Sequence, residues 1–378
     1  MASKDIEQLI PEYVRTASPY IPGKPIRQAE TESGVSCIKM ASNENAYGPS
    51  PLALKAIAEL APLVNFYPDN DNVELRKSLA AYHQLSPEQI IVTDGSTALL
   101  DLVARSLLGP GLNAISSERS FIIYPLATRV AGGRYITVPM KDDTFDLDAI
   151  AAAINPETRI VFLANPNNPT GTMFNAAQTD AFLARVPDHV MVVLDEAYCD
   201  FAEYYAQKGG FTYSRSADYV REGRKNVIVL RTFSKAHGLA GMRVGYGLGH
   251  PDMLRHFARV RTAFSVSALA EGAAVAAMKD LNHIRRSVEE IACGAEYLSR
   301  ELKHFGFRVV PTSTNFIYFE AGPDAPNLAQ RIQSEGVIIR GLTPWGAPEA
   351  LRVTVGTPDQ NQRFLDALKA SMRTSVHR

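Results

Sequence analysis

The stretch RTFSKAHGLAGMRVGY, residues 231–246, decides how this chain is read. The run NVIVL, 226–230, delivers the backbone into it, and it is short, apolar and β-branched, as a buried parallel strand is. One lysine, Lys235, follows, flanked by Ser234 and by a loop containing Gly238, Gly241 and Gly245. An amine just past a buried strand end is partly desolvated, and the lowered pKa suits it to condense with a carbonyl. The glycines let backbone approach something closely, and Arg243 is able to pair with a phosphate.

Outward from this stretch, strands at 89–93, 134–139, 159–164 and 189–194 alternate with helical patterns at 98–108, 147–153 and 176–186. Such alternation predicts an α/β architecture, a mostly parallel sheet with helices on both faces. Ligands then collect beyond the carboxyl ends of the strands. The polar motifs obey that rule, since DGST (94–97), NPNNPTG (165–171), DEAY (195–198) and Ser234-Lys235 each follow a strand. DGST opens directly into a helix, which makes an anion site from free N–H groups. NPNNPTG is a stiff turn that holds the Asn168 amide as a donor. Asp195 ends a buried strand, where an ionised carboxylate needs a cation such as a protonated ring nitrogen.

The N-terminal segment predicts a short amphipathic helix over 3–15 and a rigid, extended arm over 18–25, SPYIPGKP. Ser50 N-caps a helix with Pro51 at its first position. After about 250 the pattern changes to helices at 251–260, 267–279 and 282–304. Strands at 307–310 and 315–320, a helix at 326–335, strands at 337–340 and 351–355 and a last helix from 359 follow. This predicts a smaller α+β domain. The expected division is 1–42 as an arm and part of the small domain, 43–262 as the large domain and 263–378 as the C-terminal small domain.

Composition excludes several function classes. Lys plus Arg is 39 against 40 for Asp plus Glu, so no general field draws nucleic acid or an anionic membrane. Acidic residues interrupt the N-terminus where a signal peptide needs an apolar core, and no apolar run reaches about 18 residues. Cys37, Cys199 and Cys293 are widely spaced, without a C-x-x-C pair, which argues against a zinc site or a disulfide framework and fits a reducing cytoplasm.

A lysine for an imine, a carboxylate for a ring nitrogen, two polar groups for a phenolic oxygen and a phosphate cradle are together what pyridoxal 5′-phosphate (PLP) requires. Here the chain resembles the fold-type I aminotransferases and, among them, the histidinol-phosphate aminotransferase family. The matching stretches are SNENAYGPSP (42–51), YPD (67–69), DGST (94–97), ANPNNPTG (164–171), DEAY (195–198), RTFSKAHGLAGMRVGY (231–246), NFIYF (315–319) and LRVTVGT (351–357).

The resemblance implies that Lys235 binds PLP covalently and Asp195 pairs with its ring nitrogen. Asn168 and Tyr198 contact the phenolic oxygen, and Phe121 stacks on the ring. Gly95, Ser96, Thr97, Ser234 and Arg243 hold the phosphate. It implies a homodimer with shared active sites, in which Tyr67 reaches the neighbouring subunit's cofactor. Arg352 binds the substrate carboxylate or phosphate, and Tyr20, Asn43 and Arg340 line the substrate side. An amino donor and a 2-oxo acid, here histidinol phosphate and 2-oxoglutarate, react in ping-pong order. Thr97 stands where many relatives carry an acid, and Phe121 replaces a tyrosine of some members. An aromatic amino-acid aminotransferase keeps the same chemistry, and a PLP decarboxylase or lyase keeps the same fold. A ligand-sensing regulator would need an added DNA-binding module, for which the N-terminal 40 residues are too short.

Overall fold

A computed structural model describes residues 6–19 and 23–373. Its central sheet has seven strands: β1 (Ile90–Thr93), β2 (Asn113–Ser117), β3 (Arg134–Val138), β4 (Thr158–Ala164), β5 (Met191–Asp195), β6 (Val227–Thr232) and β7 (Gly245–Gly249). Their order is β1-β7-β6-β5-β4-β2-β3. β7 runs antiparallel to both neighbours, and the other pairings are parallel. The expected mostly parallel sheet is therefore present. Every residue of β4 except Arg159, and every residue of β5, is buried, so helices cover both faces.

Two strands of this sheet were not expected from the sequence. β2 reads NAISS, too polar for a core strand, yet all five residues are buried. Its polar groups are bonded: the Ser116 hydroxyl donates to the Phe162 carbonyl at 2.8 Å, and Asn113 Nδ2 to Asn155 Oδ1 at 2.9 Å. β7 reads GYGLG, which resembles a loop. It lies against helix α2 (Ser96–Leu107), named after α1 (Pro51–Leu60), whose N-cap Ser50 is as expected. A Cβ on Gly247 would stand 2.5 Å from Leu99 Cδ2, and one on Gly245 2.7 Å from the Ser96 nitrogen. The glycines are what bring β7 this close to the helix start.

Helix α3 (Ala268–Ala277) packs its alanine face into the core of this sheet. The chain then enters a second core with helix α4 (Leu281–His304). Strands β8 (Arg308–Val309), β9 (Phe316–Glu320), β10 (Arg340–Gly341) and β11 (Ala350–Thr354) form an antiparallel sheet in the order β8-β9-β11-β10. Val288, Ile291 and Leu298 of α4, with Phe364 and Leu368 of α5 (Pro358–Arg373), complete its core.

The N-terminal region departs from expectation. In place of one helix over 3–15 there is a 3-10 turn, Ile6–Leu9, and one α turn, Glu12–Arg15. A helix at Ile26–Ser33, which the proline-rich arm concealed, begins after Pro25. Ile38–Lys39 then pairs in parallel with Val337–Ile338, which ties this segment to the smaller unit. The chain enters the larger unit past Asn43, a buried residue at φ 58°, a conformation asparagine tolerates.

Candidate active site

A cavity of about 260 Å³ opens at the carboxyl ends of β1, β4, β5 and β6 and is roofed by the smaller sheet. Four of its walls derive from the motifs. The end of β5 supplies Asp195, fully inside the protein. Its carboxylate accepts the Tyr124 hydroxyl at 2.9 Å and the Ala197 N–H at 3.3 Å. Burial nonetheless raises its pKa to about 6, because these donors offset desolvation only in part. A cationic ring nitrogen is the partner that such a group lacks.

Lys235 stands across the cavity. Its amine donates to the Ser42 carbonyl at 3.3 Å and lies 5.5 Å from the centre of the Tyr198 ring. Burial, then the charge of Arg352, lowers its pKa to about 8. The sequence reading expected a lowered pKa here, and this is its cause. Tyr198 is buried, and its hydroxyl accepts Asn43 Nδ2 at 2.8 Å.

At the far end of β1 the backbone turns at Gly95, φ 109°, and α2 begins at Ser96 without a side-chain cap. Its first N–H groups are therefore available to an anion. Arg243 lies over this start. It donates through Nη2 to the Asp94 carbonyl at 3.3 Å, and through Nη1 to the Ala240 carbonyl at 3.0 Å and Ser234 Oγ at 3.4 Å. A Cβ on residue 95 would sit 2.5 Å from Arg243 Nη2, so glycine is what admits the guanidinium here. This donor set, with Ser96, Thr97 and Ser234 on the same wall, fits a phosphate. Phe121 lines the cavity beside it, edge-on to Tyr124 with centroids 5.8 Å apart. The residues present thus fit an aromatic, phosphorylated, carbonyl-bearing cofactor.

The opposite side of the cavity is built by the smaller unit. Arg352, on β11, is buried; it donates to the Ala41 carbonyl at 2.8 Å and to Asn168 Oδ1. With its oxygen so engaged, Asn168 has its NH₂ to turn toward a ligand oxygen. Arg340 and Asn43 line the same cavity.

Of two further expected residues, one falls outside the description and one is placed elsewhere. Tyr20 lies outside the described residues. Tyr67 is 84% exposed and packs on Phe264, centroids 4.9 Å apart, away from its own chain's cavity. Tyr124 and Trp345 are among the residues of the site to which the sequence assigns no role. Tyr124 sits three positions after Phe121, and that spacing was its one signal. Trp345 had none.

Comparison with known proteins agrees with this geometry. Residues 35–368 match the family model described as aminotransferase class I and II. A histidinol-phosphate aminotransferase of Moorella thermoacetica is 44% identical over 361 residues, 95% of this chain and 92% of the relative. Histidinol-phosphate aminotransferase 2 of Pseudomonas fluorescens is 43% identical over 359 residues, 94% of this chain and 95% of the relative. The crystal structure of the Sinorhizobium meliloti histidinol-phosphate aminotransferase, in complex with pyridoxal-5′-phosphate, superposes with a TM-score of 0.87 at 29% identity. That match covers 97% of this chain and 98% of the other. With lysine, buried carboxylate and phosphate cradle arranged around one cavity, and a family match spanning both units, this chain belongs to the class I and II aminotransferases.

Proposed function

We propose that this chain transfers an amino group between histidinol phosphate and 2-oxoglutarate, with PLP as its resident cofactor. One observation carries the reading. A single cavity holds a lysine of lowered pKa, a buried carboxylate and an uncapped helix start at one end, and two arginines at the other. Relatives above 40% identity named for that substrate support it.

Lys235 would hold the cofactor's carbonyl carbon, Asp195 its ring nitrogen, Asn168 and Tyr198 its phenolic oxygen, and Gly95, Ser96, Thr97, Ser234 and Arg243 its phosphate. When bound, PLP supplies an electron sink for the charge left on the substrate's α-carbon. The chain's own residues do the rest. Lys235, with a pKa near 8, has a neutral fraction at physiological pH able to take the α-carbon proton and hand it on. Tyr124 and the Ala197 N–H orient the Asp195 carboxylate. Arg340 and Arg352 grip the anionic end of the substrate. The donor leaves as an oxo product before the 2-oxo acid enters, so ping-pong kinetics are expected.

Two hydrophobic cores support a division into a larger cofactor-binding domain and a smaller domain that takes in the N-terminal segment. The exposed Val64, Phe66, Tyr67 and Phe264 support a homodimer in which Tyr67 reaches the neighbouring site. Three free cysteines support a cytoplasmic setting, and among the described residues no helix is long and apolar enough to cross a membrane.

Initial rates with histidinol phosphate, phenylalanine and tyrosine against 2-oxoglutarate test the substrate. Histidinol phosphate is expected to lead by about tenfold or more in kcat/KM. A lead of that size for phenylalanine would replace this substrate with an aromatic amino acid and leave the chemistry standing.

A further inference from the structure

Arg340 and Arg352 are register partners on the neighbouring antiparallel strands β10 and β11. Residues so paired share one face of the sheet with Cβ atoms about 5 Å apart, and like charges there repel. Both guanidinium groups face the same aromatic ring: Arg340 lies 4.8 Å and Arg352 5.9 Å from the centre of Trp345, and Arg352 also lies 5.2 Å from that of Phe316. Trp345 is 6% exposed and lines the cavity. It ends a short turn, Thr343–Trp345, that folds back between the two strands and packs with Leu342, Ala350 and Tyr318. Its indole N–H is buried without a hydrogen-bond partner among the described residues. One wall thus carries two opposed cations, a π face that attracts both, and a donor lacking an acceptor.

We propose that Trp345 is a positioning residue that sets substrate charge preference, its indole holding Arg340 and Arg352 side by side so that the cavity favours a doubly charged phosphate monoester over a single carboxylate. The proposal rests on the substrate reading above and adds the residue that enforces it. Two guanidinium groups side by side match the two charges of a phosphate monoester, and a ring that both face keeps the pair available together. A lone carboxylate needs one of them.

The test compares Trp345→Leu and Trp345→Phe holoenzymes with the parent. In the leucine variant, KM for histidinol phosphate is expected to rise about tenfold, the scale of a desolvated cation–π contact, with kcat changed much less. KM for phenylalanine as amino donor, which carries one carboxylate, should move about twofold or less, and the Trp345→Phe variant should recover most of the loss by restoring a π face. Trp345 is the chain's one tryptophan, so parent fluorescence reports this wall directly. A saturable change on adding histidinol phosphate, with a midpoint matching the kinetic one and absent at equal acetate, which carries one carboxylate and no amino group, is the expected signature. Equal KM changes for both substrates, or fluorescence indifferent to histidinol phosphate, would overturn the proposal. If the leucine variant does not fold, the phenylalanine variant and the parent titration decide. If the parent does not turn over histidinol phosphate, the substrate reading fails. Inorganic phosphate then decides for Trp345: a saturable fluorescence change sustains the dianion wall, and none refutes it.

Discussion

The two ends of the cavity are built in different ways. At the cofactor end, each group sits within a few residues of a strand terminus of one sheet. Asp195 closes β5, Gly95 and Ser96 follow β1, and Ser234 and Lys235 follow β6. Local backbone geometry places them, and the larger core holds that geometry. At the substrate end, Asn43, Arg340, Trp345 and Arg352 come from an N-terminal segment and a separate antiparallel sheet. They meet only because Ile38–Lys39 pairs with Val337–Ile338 and the Asn43 N–H donates to Thr354 Oγ1 at 2.9 Å. On the function proposed above, a cofactor retained through every turnover would be held by the more locally determined end. The substrate, which must come and go, would be met by the end assembled from distant parts.

Substitutions at the two ends should therefore separate cofactor retention from substrate use. Arg352→Ala should give the largest effect, lowering kcat/KM in both half-reactions by about 10² or more while PLP affinity stays near the parent's. Unchanged glutamate turnover would refute its assigned role. Arg243→Ala should do the reverse, weakening PLP binding by about 10–100-fold, the worth of one charge-assisted hydrogen bond, as measured by dialysis against decreasing PLP. If it altered substrate KM alone, the phosphate cradle would have to lie elsewhere.

Asp195→Asn acts on stability before cofactor binds, and its sign is the sharpest. In the apo-protein the Asp195 pKa is about 6 against 3.8 unfolded, so between those values the folded state binds more protons. Stability is then lost as pH rises through that window, by about 3 kcal/mol at most. Apo Asp195→Asn should melt a few degrees above the apo-parent at pH 7 and show no such advantage below pH 4. With PLP added the order should invert, because the ring nitrogen's charge then offsets the cost in the parent alone. An asparagine variant less stable at pH 7 without cofactor would mean that the carboxylate is already compensated.

The same contrast governs what could be read from sequence. The cofactor end was legible because a buried strand followed by a small or polar residue places that residue at the sheet's edge, whatever the rest of the chain does. The β7 strand was not, because glycines normally signal a break. Here they mark the close approach of backbone to Ser96 and Leu99, a cause visible only once α2 is in place. β2 was hidden by Asn113, Ser116 and Ser117, whose partners lie in other strands and loops. At the substrate end, nothing near Arg340 in the chain announces that Arg352 stands opposite, or that Trp345 lies against both. Strand register fixes those neighbours, and register is a property of the folded sheet. Tyr67 marks a further boundary, since its exposed ring meets no part of its own chain's cavity.

Borohydride reduction of the PLP-loaded enzyme followed by peptide mapping examines the amine at position 235 directly. The cofactor should be fixed to the peptide containing Lys235 and to no other, and Lys235→Ala should retain no label. Label on a different lysine, or labelling that survives in Lys235→Ala, would remove the covalent link on which the proposed chemistry depends.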